Sequence, residues 1–305
     1  MSRRFCVCVP ARNEAARLPR LLEALAVQTM PGSIPVALCI NNCDDRSAEA
    51  AVATARRFPR LDLHIDERRF EASEAHAGSA RRAATDLGAA VLGEEGGALI
   101  STDADCRPPS GWIAAIMAAM ADDRIVGGRI VIDETEPLPK AALALRTRWD
   151  HYWQTVRDIE DSIDPRPDEA AGRHGDHTGA SLALTVGLYR RTGGVPPIPH
   201  GEDRALVENA VLAGGRLIHP PGVWTSVSPR TDGRASGGMA VDMARLLADA
   251  DAGAAPTVPS FDRWAERARW RRTQRSTADD RAVVLAERAL PPMPHDMPLP
   301  GLDLR

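Results

Sequence analysis

Aromatic residues are scarce in this chain: six Trp, four Phe and two Tyr make up 4% of 305 residues, beside 44% hydrophobic content overall. That balance is ordinary for a globular protein. Cysteine is scarce as well. Cys6, Cys8, Cys39, Cys43 and Cys106 are too few, and odd in number, for a disulfide framework in a chain of this length, so they are expected as reduced thiols. Cys6 and Cys8 alternate with Val7 and Val9, as small core residues of a strand do. Cys39 and Cys43 look like half a zinc site, but no second Cys/His pair stands at a matching spacing. Long apolar runs are missing. Nothing approaches the roughly 18 residues of a membrane-spanning helix, and no stretch after Met1 resembles the apolar run of about 7–15 residues in a signal peptide. A cytoplasmic protein without an integral membrane segment is therefore expected. A surplus of positive charge is missing too, since 38 basic side chains face 42 acidic ones for a formal charge of −4. This argues against nucleic acid as a partner. The arginine-rich stretch from Phe261 to Arg275 is diluted by Asp262 and Glu266, and is expected to be a solvated helix face.

What is present is a strand–helix alternation through the first 135 residues or so, the pattern of a mostly parallel sheet covered by helices. Strands are expected at Phe5 to Val9, Val36 to Ile40, Leu61 to Ile65, Ala98 to Thr102 and Ile125 to Ile132. Between them, spacings of three and four predict helices; one carries Leu18, Leu21, Leu22 and Leu25, and another follows Ser110 as its cap. The second half is less regular. A helix from about Ala141 to Ile159 leads into a polar loop, Asp161 to His177, and further helices are expected near Glu202 to Ala213 and after Gly237. The tail, with Pro291, Pro292, Pro294, Pro298 and Pro300, excludes regular helix.

Ligands of open α/β sheets sit beyond the carboxyl ends of the strands, and three such ends here are strongly polar: Pro10 to Glu14, Asn41 to Asp45, and Asp103-Ala104-Asp105. Two carboxylates separated by one small residue suit a hard divalent cation whose other positions are filled by phosphate oxygens. A further pair, Glu202 and Asp203 after Gly201, stands at a helix start, where a carboxylate serves as an N-cap or as a general base.

Taken in order, these motifs resemble the family 2 glycosyltransferases of the GT-A fold. Val9 to Glu14 is similar to that family's opening Pro-Ala-Arg-Asn-Glu segment, and Asn41-Asn42 to the polar pair ending its second strand. Gly78 to Arg82 resembles its Gly-x-Ala-Arg-Asn helix start, with Arg82 in place of Asn. Ser101 to Asp105 is similar to its metal motif and Gly201 to Asp203 to its Glu-Asp motif. His177 to Ala183 resembles the Gly-x-Asn-x-Ala stretch of its acceptor side, with Ser181 where Asn is common. The resemblance spans about residues 4 to 235. It implies an α/β GT-A domain over 1–236, a Rossmann-like central sheet flanked by helices, followed by a helical extension over 237–290 and a Pro-rich tail over 291–305.

The resemblance further implies an inverting transferase that takes a nucleotide-diphosphate sugar, most often UDP-linked, with Mn²⁺ or Mg²⁺, and passes the sugar to an acceptor hydroxyl. On that reading Pro10, Ala11, Arg12 and Glu14 surround base and ribose, Asn42 meets the base edge, and Arg81 favours the diphosphate. Asp105 holds the metal, Asp103 contacts metal or ribose beside Ala104, and His219 is a late metal ligand. Asp203 is the base, with Glu202 orienting loop or acceptor. His177, Gly179 and Ala180 fall on the acceptor side, and Arg230 and Arg234 in a loop able to close over the site. The C-terminal helices are the expected surface for a homodimer. A non-catalytic nucleotide-sugar binder and a nucleotidyltransferase of related fold are the alternatives, although the latter needs a Gly-rich phosphate loop that Pro10 to Glu14 lacks.

Overall fold

Apolar residues recurring at every second position build the strands, and those recurring at every third or fourth build the helices that cover them. The computed structural model describes residues 4–94, 96–170, 172–232, 238–253 and 256–301. The chain runs β1 Phe5–Ala11, α1 Leu18–Ala26, β2 Ile34–Asn41, α2 Ser47–Arg57, β3 Leu61–Arg68, α3 Ala77–Leu92 and β4 Ala98–Ser101. It continues through β5 Cys106–Arg107, α4 Trp112–Ala119, β6 Arg124–Gly127, β7 Arg129–Ile132, α5 Lys140–Ile163, β8 Leu182–Thr185 and α6 Val186–Arg191. Then follow α7 Glu202–Leu212, β9 Arg216–Ile218, β10 Trp224–Val227, α8 Met239–Asp251, β11 Thr257–Val258, α9 Phe261–Arg275, α10 Asp280–Arg288 and β12 Met297–Pro298.

Seven strands form the main sheet in the order β3-β2-β1-β4-β8-β6-β9. β3, β2, β1 and β4 are parallel, and β8 runs antiparallel between β4 and β6. The chain winds outward from β1 on one side and returns to β4 on the other, so the gap between their carboxyl ends is the topological switch point. β1 shows why the sheet is covered on both faces. Phe5, Val7, Val9 and Ala11 join α1 and α4 in one core, while Cys6 and Cys8 face the alanines of α3 in the other. All five cysteines are free thiols. Small residues on that second face let α3 lie close to the sheet and carry Arg81 over the end of β4.

Two local expectations are corrected. The single strand expected from Ile125 to Ile132 is two, β6 in the main sheet and β7 in a small sheet ordered β5-β10-β7. Gly128 divides them: a Cβ there would lie 2.0 Å from Ser181 Oγ, so the backbone turns where no side chain fits. Ser110 gives α4 no side-chain cap; instead Gln28 Oε1 accepts from Ile113 N at 2.9 Å.

The C-terminal helices close on α5. Ala142, Leu145, Tyr152 and Val156 of α5 share a third core with Met243, Leu246, Val258 and Leu299. The arginines of α9 are spent on ion pairs as well as on solvent: Arg271 reaches Glu160, Arg275 reaches Asp164, and Arg263 pairs with Asp296 at 3.1 Å. The proline-rich tail contributes β12, paired antiparallel with β11. Among the described residues no helix is long and apolar enough to cross a membrane.

Candidate active site

The turns after β1 and β4 meet the start of α7 around one cavity of about 380 Å³. Its walls include Pro10 and Ala11 from the end of β1, Arg12 and Glu14 from the turn after it, Asp103, Ala104 and Asp105 from the turn after β4, and Glu202 and Asp203 from α7. Gly179, Ala180, Arg81 and Arg230 complete the wall. Most of the residues singled out from sequence thus converge, including both aspartates on which the chemistry depends.

Arg81 ties the two halves together. It is 6% exposed. Its Nε donates to Glu202 at 2.9 Å, Nη1 to Ser101 Oγ at 2.8 Å and to Gly179 O at 3.1 Å, and Nη2 to Asp103 at 2.8 Å. Burial works against its charge, but Asp103, Glu202 and Asp203 outweigh it, so the guanidinium is held protonated more firmly than in water. Every nitrogen of the group is engaged by the protein, so Arg81 organises the carboxylates from its place on the cavity wall.

Asp203 is fixed by main chain. One carboxylate oxygen accepts from Gly179 N at 2.8 Å and the other from Arg204 N at 2.7 Å. Gly201, left-handed at φ 75°, turns the chain into α7 so that Glu202 and Asp203 both fall in its first turn, at the positive end of the helix dipole.

In the turn after β4, Asp105 is pushed up to about 6 by burial and by the neighbouring Asp103, against the pull of Arg230. Arg230 Nε lies 2.9 Å from Asp105, and its Nη2 lies 2.5 Å from Glu14. This late basic residue, assigned from sequence to a loop on the acceptor side, therefore stands at the carboxylates. Glu14 is 4% exposed and is positioned by Ser47 Oγ, which accepts from its backbone N at 2.8 Å.

Asp103, Asp105 and Cys106 are the group among the described residues whose donor atoms approach closely enough to share an ion. Burial, then Asp103 and Asp105, hold the Cys106 thiol protonated, and it donates to Ala180 O. The donor set that remains is two carboxylates, which fits a hard cation such as Mn²⁺ or Mg²⁺ completed by oxygens from a ligand.

Other residues fall elsewhere. Asn42, left-handed at φ 48°, spends its amide on Phe70, accepting from N at 3.1 Å and donating to O at 2.9 Å. The amide on the cavity wall is that of Asn41, the last residue of β2; extending the strand by one residue in sequence would have found it. His219 is not on the wall either. It is 5% exposed, and Glu169 accepts from its backbone N at 2.9 Å and lies 2.7 Å from its Nδ1. Its ring packs against His174 at 5.3 Å and His177 at 6.0 Å. His177 lies behind the wall in that stack, its pKa lowered by burial and by His219. Arg234 lies outside the described residues. Ser101 entered the sequence analysis only as the first residue of the metal motif, with no role of its own, although its Oγ bonds both Arg81 and Gly179 O.

Comparison with known proteins gives a consistent result. Residues 6–166 match the family described as Glycosyl transferase family 2. Among solved structures, S. aureus TarS 1-349 in complex with UDP-GlcNAc is similar at a TM-score of 0.53 and 14% identity, over 94% of this chain and 76% of that one. The mannosyltransferase PcManGT from Pyrobaculum calidifontis, in complex with GDP-Man and Mn²⁺, is similar at 0.52 and 18% identity, over 95% of this chain and 80% of that one. No curated protein matches. At such identities the structural likeness establishes the GT-A fold.

Proposed function

Since the chain belongs to glycosyl transferase family 2, and is thus a glycosyltransferase, we propose that it moves a sugar from a nucleotide diphosphate, UDP in the first instance, to an acceptor hydroxyl with inversion. The observation that carries this reading is the single cavity lined by Asp103, Asp105 and Asp203, with Arg81 bonding Asp103 on one side and Glu202, the neighbour of Asp203, on the other. The complexes of TarS with UDP-GlcNAc and of PcManGT with GDP-Man and Mn²⁺ support the donor class.

Asp203 takes the proton of the acceptor hydroxyl as that oxygen bonds to the anomeric carbon and the nucleoside diphosphate departs with the electrons of the broken C–O bond. A single displacement of this kind inverts the carbon. The two backbone N–H groups on Asp203 fix the carboxylate, so it meets the hydroxyl without reorganising. Mn²⁺ or Mg²⁺, held by Asp105 and Asp103, would neutralise charge on the leaving diphosphate. Pro10, Ala11, Arg12 and Asn41, at the ends of β1 and β2, line the same cavity and are assigned to the nucleoside. Glu14 and Asp105 hold Arg230 at the edge of the same space.

The test offers a panel of nucleotide sugars with Mn²⁺ to purified protein and records donor hydrolysis, together with the melting shift caused by UDP and by GDP. Asp105→Ala is expected to lose the metal-dependent shift. Asp203→Asn is expected to keep it while turnover falls by about 10²–10⁴-fold. The proposal fails if every donor is inert and neither nucleotide moves the melting temperature.

A further inference from the structure

A second cavity, of about 560 Å³, adjoins the first and shares Thr178 and Asp242 with its wall. We propose that this cleft is the acceptor subsite and that it takes a pyranose ring, so that the acceptor is itself a sugar or glycoside; this rests on the transferase reading above.

The cleft lies between two helix faces. Along α5, Arg146, Trp149, Trp153 and Arg157 recur at spacings of three and four, so they form one stripe facing the groove. Across from it, α8 offers Asp242, Arg245 and Asp249 at the same spacing. Trp153 is 39% exposed although it is a large aromatic residue. The Arg157 guanidinium lies over one face of its ring at 5.5 Å, and Tyr152 and Trp264 meet the ring at steep angles, at 5.1 Å and 5.7 Å. Tyr152 and Trp264 belong to the third core, yet the indole itself stays on the groove wall, outside the donor cavity.

Charge decides the class of ligand. Four arginines on the wall, Arg129, Arg146, Arg157 and Arg245, stand against four aspartates, Asp150, Asp176, Asp242 and Asp249. Such a wall gives no net pull on an isolated anion, and its density of charged groups rejects a lipid chain. A pyranose matches it. The ring's C–H face lies against the π-face of an indole, whose quadrupole is negative, while its rim of hydroxyls donates to carboxylates and accepts from guanidinium groups. Arg129 and Arg245 are exposed and form no ion pair with another described residue, so their donors are open to such a rim. The residues common to both cavities place a ring's hydroxyl beside the base. Thr178 precedes Gly179, whose N–H holds the Asp203 carboxylate.

The experiment uses the full chain saturated with UDP and Mn²⁺. Calorimetry measures binding of the methyl pyranosides of glucose, galactose, mannose and N-acetylglucosamine, with inorganic phosphate as the anionic control. At least one glycoside is expected to bind saturably. Trp153→Ala is expected to weaken it about tenfold, corresponding to about 1.4 kcal/mol, and Trp153→Phe to restore most of the loss. Arg129→Ala, at an exposed position, weakens it without touching the aromatic packing. The UDP-induced melting shift is expected to be the same in all three variants. Absence of any glycoside binding while UDP still binds overturns the acceptor assignment and leaves the donor reading standing. Wild-type affinity in Trp153→Ala, or phosphate competing as strongly as the glycosides, overturns it equally. If UDP itself fails to bind wild-type protein, the donor reading falls and the acceptor assignment falls with it.

Discussion

Arg81 carries more of the site than any other side chain. Its guanidinium satisfies Glu202, which is 7% exposed, together with Asp103, Ser101 and a main-chain carbonyl. Removing one partner of a buried ion pair strands the other, typically at about 3–5 kcal/mol. Arg81→Met is expected to lose stability of that order in urea unfolding, and the double variant Arg81→Met/Glu202→Gln to recover part of it. A single variant as stable as wild type would show that the carboxylates do not depend on this pairing. His174 supplies a pH dependence. Burial and then His219 lower its pKa from the ordinary 6.5 to about 4. Between those values the unfolded chain binds a proton that the folded chain does not, so the stability from this group is complete above pH 6.5 and is lost as pH falls toward 4. The melting temperature of wild type is expected to drop over that interval, and more shallowly in His174→Gln. Equal slopes would refute the assignment.

Among the secondary-structure elements, the bend between β6 and β7 decides which sheet each half joins, and with it where Arg129 stands beside the second cavity. Gly128 N donates to Ser181 O at 2.8 Å, and Ser181 Oγ accepts from Trp112 Nε1 at 2.9 Å. Gly128→Val places two methyl groups against that buried contact. Overpacking of this kind costs about 1–3 kcal/mol, so the denaturation midpoint is expected to fall with little change in its slope. Gly111→Ala, where a Cβ meets nothing within 4 Å, serves as the neutral comparison.

For the molecule as a whole, α5 belongs to two bodies of structure at once. Its apolar residues Leu145, Tyr152 and Val156 are covered by α8, α9 and the tail. Tyr152 donates to Pro259 O at 2.8 Å, and Glu160 is paired to Arg157 at 2.8 Å and to Arg271. A chain ending at residue 237 would bare that core and leave Glu160 without Arg271. It is expected to bind a hydrophobic dye and aggregate on expression, whereas the full chain unfolds in one calorimetric transition. Independent melting of residues 1–237 with an intact UDP response would show instead that the C-terminal helices are a separable addition.

The strand–helix order from β1 to β4, the burial of Cys6 and Cys8 in β1 and the turns bearing Asp103, Asp105 and Asp203 were legible in the sequence. Each rests on a periodicity or a motif within a few residues, and burial of a strand face or a helix stripe repeats locally. The sequence by itself therefore determined the GT-A architecture and the polar strand ends. Only the tertiary structure decided their partners. Arg230 meets Glu14 across 216 residues, Arg81 meets Glu202 across 121, and His219 is drawn to Glu169 across 50. Those pairings depend on how separate elements stack, and on which nearby opposite charge or acceptor offsets the cost of burying a charged or polar group; no spacing along the chain encodes that distance.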